Sequence, residues 1–223
     1  MDLTRTETIE GMLTEYAAFA DLVEPLTEAE WDATTRCDGW QVRDVAGHVI
    51  GLCEDVAAGV PGSRDSAQEA ASVRGDTAAV AAGRLRTALD QVRPLAAVLD
   101  DDAAWAGPSG VPDLTMGEGI LTLWYDTFVH ADDIRAALDR GPADGAGQRA
   151  AVAYLAAQLA SRSWGPAQIV FTDDGIGSVT IGTADEAAPC RYLTSRDFVL
   201  AATGRVEAGA VGLDADVNIY APA

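Results

Sequence analysis

The chain has no lysine, a single asparagine (Asn218), only three cysteines and only two histidines. All 15 basic residues are arginine, and 35 acidic residues leave a formal net charge of −20. This shortage of positive charge excludes nucleic acid and anionic membrane as principal partners, since both are bound through basic surfaces. No transmembrane segment is visible. The start, Met1 to Glu7, has no basic segment ahead of an apolar stretch, so no secretory signal is expected. Cys37, Cys53 and Cys190 are odd in number, widely spaced and free of any zinc-ribbon or CxxC pattern. They read as small core residues of a reduced cytoplasmic protein. There is no Walker loop, Rossmann fingerprint, GxSxG elbow or internal repeat. The lysine-free, alanine-rich usage matches a GC-rich bacterial genome and reflects no functional demand.

What is present is ample apolar content. At 48% hydrophobic, 223 residues suit one large domain or two small ones. Helical periodicity runs over 4–23 through Ile9, Met12, Leu13, Tyr16, Phe19 and Ala20. Thr27-Glu28-Ala29-Glu30 is a capping box that opens a short helix through Trp31. A turn-rich stretch, 35–40, feeds a helix over 41–58 whose stripe is Val45, His48, Val49, Leu52 and Val56. A long alanine-rich helix follows over 65–99, open to interruption near Gly75, Gly83 or Pro94. A second capping box, Thr115 to Glu118, opens a helix reaching about Arg140. Four such helices make a bundle.

The run 141–147, rich in Gly and Pro, marks a boundary, giving domains at 1–141 and 148–223. Beyond it lie a helix over 148–163, then Gln168–Thr172, a turn at Asp173-Asp174-Gly175, and Ser178–Ile181, which read as a strand, hairpin and strand. Cys190–Leu193 reads as another strand, Ser195–Thr203 as a short helix ended by Gly204, and Val217–Tyr220 as a last strand. The expected class is α+β: a four-helix bundle followed by a small α/β lobe.

Both histidines fall on amphipathic helices. His130 follows Asp126 by four residues, so carboxylate and imidazole leave one helical face. With His48 from a facing helix they make a two-histidine, one-carboxylate set, the form of a catalytic metal site with open positions. The spacing alone is weak. Acidic residues occupy 35 of 223 positions, so about one chain in three or four of this composition shows such a pair by chance. A histidine satisfied by a neighbouring carboxylate explains the spacing as well.

Two longer motifs go further. Thr35-Arg36-Cys37-Asp38-Gly39-Trp40-Gln41-Val42-Arg43-Asp44-Val45-Ala46-Gly47-His48-Val49 resembles a signature of the mycothiol-dependent maleylpyruvate isomerase family, which belongs to the DinB-like metal-binding bundles. Asp126 to Gly141, with Val129-His130-Ala131-Asp132-Asp133-Ile134-Arg135-Ala136-Ala137-Leu138, is similar to a second signature. Ser195-Arg196-Asp197-Phe198 with Thr203-Gly204-Arg205 resembles, more loosely, the family's sterol-carrier-like lobe. The resemblance implies His48, Asp126 and His130 as metal ligands. It departs at Asp126, where the family usually has glutamate; the shorter arm must be met by a small helix shift. Zinc is the default for these ligands, and nickel, cobalt and iron fit the same set.

Other residues have paired readings. Asp133 either orients the His130 imidazole from behind the metal or is a solvated helix charge or intrahelical partner. Arg205 either meets a substrate carboxylate bidentately or is structural. Arg135 and Arg162 are further cations by position. Trp40 reads as a core anchor, Arg43 and Asp44 as local ion pairs, and Cys37 and Cys53 as non-ligands.

The resemblance also implies mycothiol as cosubstrate, with a small electrophile as the other partner. A coordinated thiol is deprotonated near neutral pH. Its addition to a cis-enone diacid, rotation and elimination would isomerise a maleylpyruvate-like substrate; attack on an epoxide or halide would make a thiol S-transferase. The acidic surface favours a neutral electrophile. The rivals are a non-catalytic module binding a small apolar ligand around a degenerate site, and hydrolysis by metal-activated water.

Overall fold

Helix starts in the first two-thirds of the chain are written as reciprocal caps. Thr4 with Glu7, Thr27 with Glu30, Asp65 with Gln68 and Thr115 with Glu118 each exchange side-chain and backbone hydrogen bonds. Each satisfies otherwise orphaned helix N–H groups and is worth about 1 kcal/mol. The computed structural model describes residues 3–96, 98–173, 175–183 and 188–221. The chain divides into two compact units, Thr4–Gly147 and a second made of Met1–Leu3 and Gln148–Ala223. The class is α+β, as expected.

The first unit is helical: α1 Arg5–Val23, α2 Glu28–Trp31, α3 Val42–Ala57, α4 Ser66–Ala71, α5 Ala78–Ala96, α6 Asp102–Ala106 and α7 Met116–Ala137. The long helices α1 and α3 each pack against both α5 and α7, which closes a four-helix bundle. Its core includes Tyr16, Phe19, Ile50, Leu85, Trp124, Tyr125 and Ile134. The helix expected over 65–99 is two helices, α4 and α5. The chain turns at 72–77 around Gly75, and Trp31 Nε1 pins the turn by donating to the Asp76 carbonyl at 3.1 Å. Gly83 and Pro94 lie within α5.

Burial of α3 is wider than a single stripe. Val45, His48 and Val49 are buried as expected, but so are Ile50, Gly51, Cys53 and Asp55, while Leu52 and Val56 are only half-buried. The cause is α4, which lies directly on α3 and covers a second side of it.

The second unit carries β1 Ala167–Phe171, β2 Ser178–Ile181, β3 Cys190–Leu193 and α9 Ser195–Ala202, with α8 Ala146–Ser161 ahead of them. The sheet order is β2-β1-β3, with β2 antiparallel and β3 parallel to β1. Part of the expected hairpin turn, Asp174, lies outside the described residues. Gly204, at φ 70°, closes α9 as expected, with Arg205 N–H reaching back to the Leu200 carbonyl at 2.8 Å. The strand expected at Val217–Tyr220 is instead a 3-10 turn, Ala215–Val217, and its exit. Val217 and Ile219 are buried alternately, which mimics a strand's period. Ile219 N–H bonds the Ala202 carbonyl at the end of α9, not a neighbouring strand.

Candidate metal centre

His48 comes from α3, and Asp126 and His130 from α7. Their functional atoms converge. His48 Nε2 lies 3.3 Å from Asp126 Oδ2, and His130 Nε2 lies 3.6 Å from Asp126 Oδ1. The two imidazoles stand edge to face with centroids 5.1 Å apart. One donor atom from each of the three residues lies within 4.8 Å of the others. Ligands ~2.1 Å from a tetrahedral ion stand about 3.4 Å apart, so the donor set fits a divalent cation.

The far side of each ring is held as well. His48 Nδ1 is 2.7 Å from Glu69 Oε2, and His130 Nδ1 is 2.9 Å from Asp133 Oδ2. A carboxylate on Nδ1 makes that nitrogen the donor and leaves Nε2 as the ligating lone pair. Asp133 and Glu69 are both buried. Asp133 is buried rather than solvated, and its contact with His130 is an i,i+3 pair within α7, a geometry shared by the orienting reading and the intrahelical-partner reading. Burial disfavours a charged His48, yet Asp126 and then Glu69 outweigh it and push its pKa up to about 10.

Arg36 completes the His130 side. Its Nε and Nη2 donate to Asp133 Oδ1 and Asp132 Oδ2, each at 2.6 Å, and the Ala143 N–H caps Asp132 at 2.9 Å. The loop before α3 delivers this arginine. Thr34 and Gln41 form a β-bridge, Trp40 N–H bonds the Cys37 carbonyl at 2.9 Å, and Gly39 takes the positive φ of 76° that the turn requires. The same turn lays Trp40 over the site, its ring 5.5 Å from His48 and 6.4 Å from His130. Trp40 is half-buried and faces the two rings, so the core-anchor reading is too narrow.

The cysteines differ from expectation in two of three cases. Cys53 is buried, and burial pushes its thiol up to about 12. Cys190 is exposed on β3. Cys37 is half-exposed with Sγ 3.1 Å from Asp133 Oδ2, and with His130 and Asp133 it forms a second set of possible ligands. The Arg36 guanidinium on Asp133 opposes a cation there. Arg43 makes an ion pair with Asp32, as expected, whereas Asp44 accepts from the Gln41 N–H at 3.0 Å, a helix-start hydrogen bond in place of the expected ion pair. Arg135 is felt by Glu15. Arg162 bonds the Ile219 carbonyl, and Arg205 reaches the Thr203 carbonyl at 3.4 Å, both within the second unit.

Sequence reasoning assigned no role to Glu69 or Arg36. A signal for Glu69 lay in Gly47 and Gly51, which flank His48 one helical turn apart. A Cβ on Gly47 would stand 2.5 Å from the Ala70 carbonyl oxygen, and one on Gly51 2.7 Å from Glu69 Cβ. Such a pair marks where another backbone must come close.

A family model, the mycothiol maleylpyruvate isomerase N-terminal domain, matches residues 12–135, more than half of the chain. The chain belongs to this family. The matched span holds the whole cluster from Arg36 to Asp133. The crystal structure of the mycothiol-dependent maleylpyruvate isomerase is similar at a TM-score of 0.61 and 14% identity, covering 92% of this chain and 91% of that one. A histidine-to-alanine mutant of that protein gives 0.59 at the same identity and coverage. At that identity the likeness is one of fold. No curated protein matches the chain in sequence. Among the described residues, no helix is long and apolar enough to cross a membrane.

Proposed function

We propose that the chain is a metal-dependent enzyme that uses a low-molecular-weight thiol, mycothiol, as cosubstrate. It acts as an isomerase of a maleylpyruvate-like substrate or as an S-transferase to a small electrophile. The observation that carries this reading is the convergence of His48 Nε2 and His130 Nε2 on Asp126, each ring backed by its own carboxylate. Membership of the family supports the thiol and the isomerase chemistry.

His48, Asp126 and His130 would hold a divalent ion, zinc by donor type. Bound there, the ion supplies the Lewis acidity that makes a thiol a thiolate near neutral pH. The protein's own contribution is orientation. Asp133 would fix the His130 imidazole, Arg36 fixes Asp133, and Trp40 gives one side of the site an apolar wall. Arg205 as a contact to a substrate carboxylate belongs to the same proposal and is tested by its effect on KM.

The test is elemental analysis of the purified protein beside His48→Ala and His130→Ala, followed by turnover with and without mycothiol. About one divalent ion per chain, lost in both variants, with thiol-dependent turnover, is the expected result. No metal after reconstitution with zinc or nickel sinks the reading. Turnover without added thiol replaces it with hydrolysis.

A further inference from the structure

The helix α4 poses a problem that the bundle does not explain. It is six residues long, and the only side chains it buries are those of Glu69 and Ala70. Burying one methyl group gains little, and burying a carboxylate is costly unless it is paired and hydrogen-bonded. Yet the chain fixes α4 closely. Gly47 and Gly51 present bare backbone, so that Ala70 and Glu69 can lie against α3 where any Cβ would collide. Just ahead of α4, Arg64 is clamped to α3. Its Nε donates to Asp55 Oδ1 and its Nη2 to the Gly51 carbonyl, both at 2.8 Å. The Asp65–Gln68 box then starts the helix.

The result of this arrangement is one contact, Glu69 Oε2 to His48 Nδ1 at 2.7 Å. At 2% exposure Glu69 cannot meet a substrate, and it touches the ring on the side away from Asp126. We propose that Glu69 is a positioning residue for the metal centre. It accepts a hydrogen bond from the Nδ1–H of His48, aims Nε2 at the shared site with Asp126 and His130, and is the reason α4 is pressed onto α3. On this view the two histidines are held by separate devices, one carried by α4 and the other by the next turn of α7. The inference rests on the proposed metal site, but it concerns a residue outside the donor set.

The experiment uses zinc alone as probe and the full chain, with affinity read by competition against a chromophoric chelator. Loss of a carboxylate behind a ligand histidine lowers metal affinity 10- to 100-fold. Glu69→Ala is expected to fall in that range. Glu69→Gln, whose amide oxygen can still accept the Nδ1–H hydrogen bond, is expected to recover most of the loss. Proton NMR of the metal-free protein supplies a readout independent of zinc. Of the downfield ring N–H resonances that disappear in His48→Ala, the one assigned to Nδ1 by its nitrogen shift is also expected to disappear in Glu69→Ala and to survive in Glu69→Gln. Should Glu69→Ala fail to fold, Glu69→Gln and Gly51→Ala carry the same comparison.

Zinc affinity in Glu69→Ala within twofold of the parent overturns the inference and leaves the metal site standing. So does a glutamine variant as weak as the alanine one. If the parent chain itself binds no zinc, the metal reading fails first and this inference falls with it.

Discussion

A Cβ placed on Gly51 would stand 2.7 Å from the Cβ of Glu69, closer than side chains approach. Both atoms are fixed by backbone, so neither can swing away. Gly51→Ala must therefore push α4 off α3. Alanine gains about 1 kcal/mol in helix propensity, and overpacking costs about 1–3 kcal/mol. A net loss of about 1 kcal/mol is expected in denaturant unfolding. Gly83→Ala in α5, where a new Cβ meets nothing within 4 Å, is the control and is expected to stabilise by up to about 1 kcal/mol.

Asp126 is the hinge of the donor set, since both imidazoles face it. Asp126→Ala is expected to cost more than about 100-fold in zinc affinity, because two neutral imidazoles alone hold the ion weakly. Asp126→Glu restores a carboxylate on a longer arm, and is expected to stay within about tenfold of the parent. An alanine variant that binds zinc normally would remove Asp126 from the ligand set.

Arg36 pairs with two buried carboxylates at once. Removing one partner of such a network strands the other charges, a loss of about 3 kcal/mol. Arg36→Ala is expected to lose that much in unfolding free energy. Arg36→Lys, a point charge that cannot reach both aspartates as a fork does, is expected to recover less than half of it. Full recovery by lysine would argue against the forked geometry.

Glu15 predicts a pH dependence away from the metal centre. Burial raises its pKa to about 7, against the opposing pull of a bond from Trp124 and the charge of Arg135, with Asp144 adding to the rise. Below pH 4.5 the carboxyl is neutral folded or unfolded, and its burial is not penalised. Between about 4.5 and 7 only the unfolded chain ionises, so stability falls as pH rises, then levels off. Allowing for partial exposure, the loss is roughly 2 kcal/mol. Glu15→Gln is expected to match the parent near pH 4 and exceed it near pH 8 in thermal unfolding. Parallel curves for the two proteins would contradict the assignment.

Sequence patterns that act over one or two helical turns were readable. The capping boxes at Thr27 and Thr115 stand where their spacing places them, because a cap needs only its own four residues. Asp126 and His130 share a face for the same local reason. Reading failed where tertiary contact decides. Nothing within 66–71 announces that Glu69 will be buried, since its partner lies 21 residues earlier. The break between α4 and α5 is fixed by Trp31, from another helix. Val217 and Ile219 are buried alternately without a strand partner among the described residues, and a two-residue period does not distinguish burial from pairing. Arg36 lay inside a recognised motif, yet its role exists only once Asp132 and Asp133 face it.

Trp40 lies against both imidazoles, 5.5 and 6.4 Å away. An indole so close to two groups that change charge and mobility when a cation arrives is a built-in optical gauge. Its emission should change with occupancy, and paramagnetic cobalt or nickel should quench it where zinc does not. With the other tryptophans replaced, the molecule would report the filling of its own centre without a dye, a chelator or a substrate.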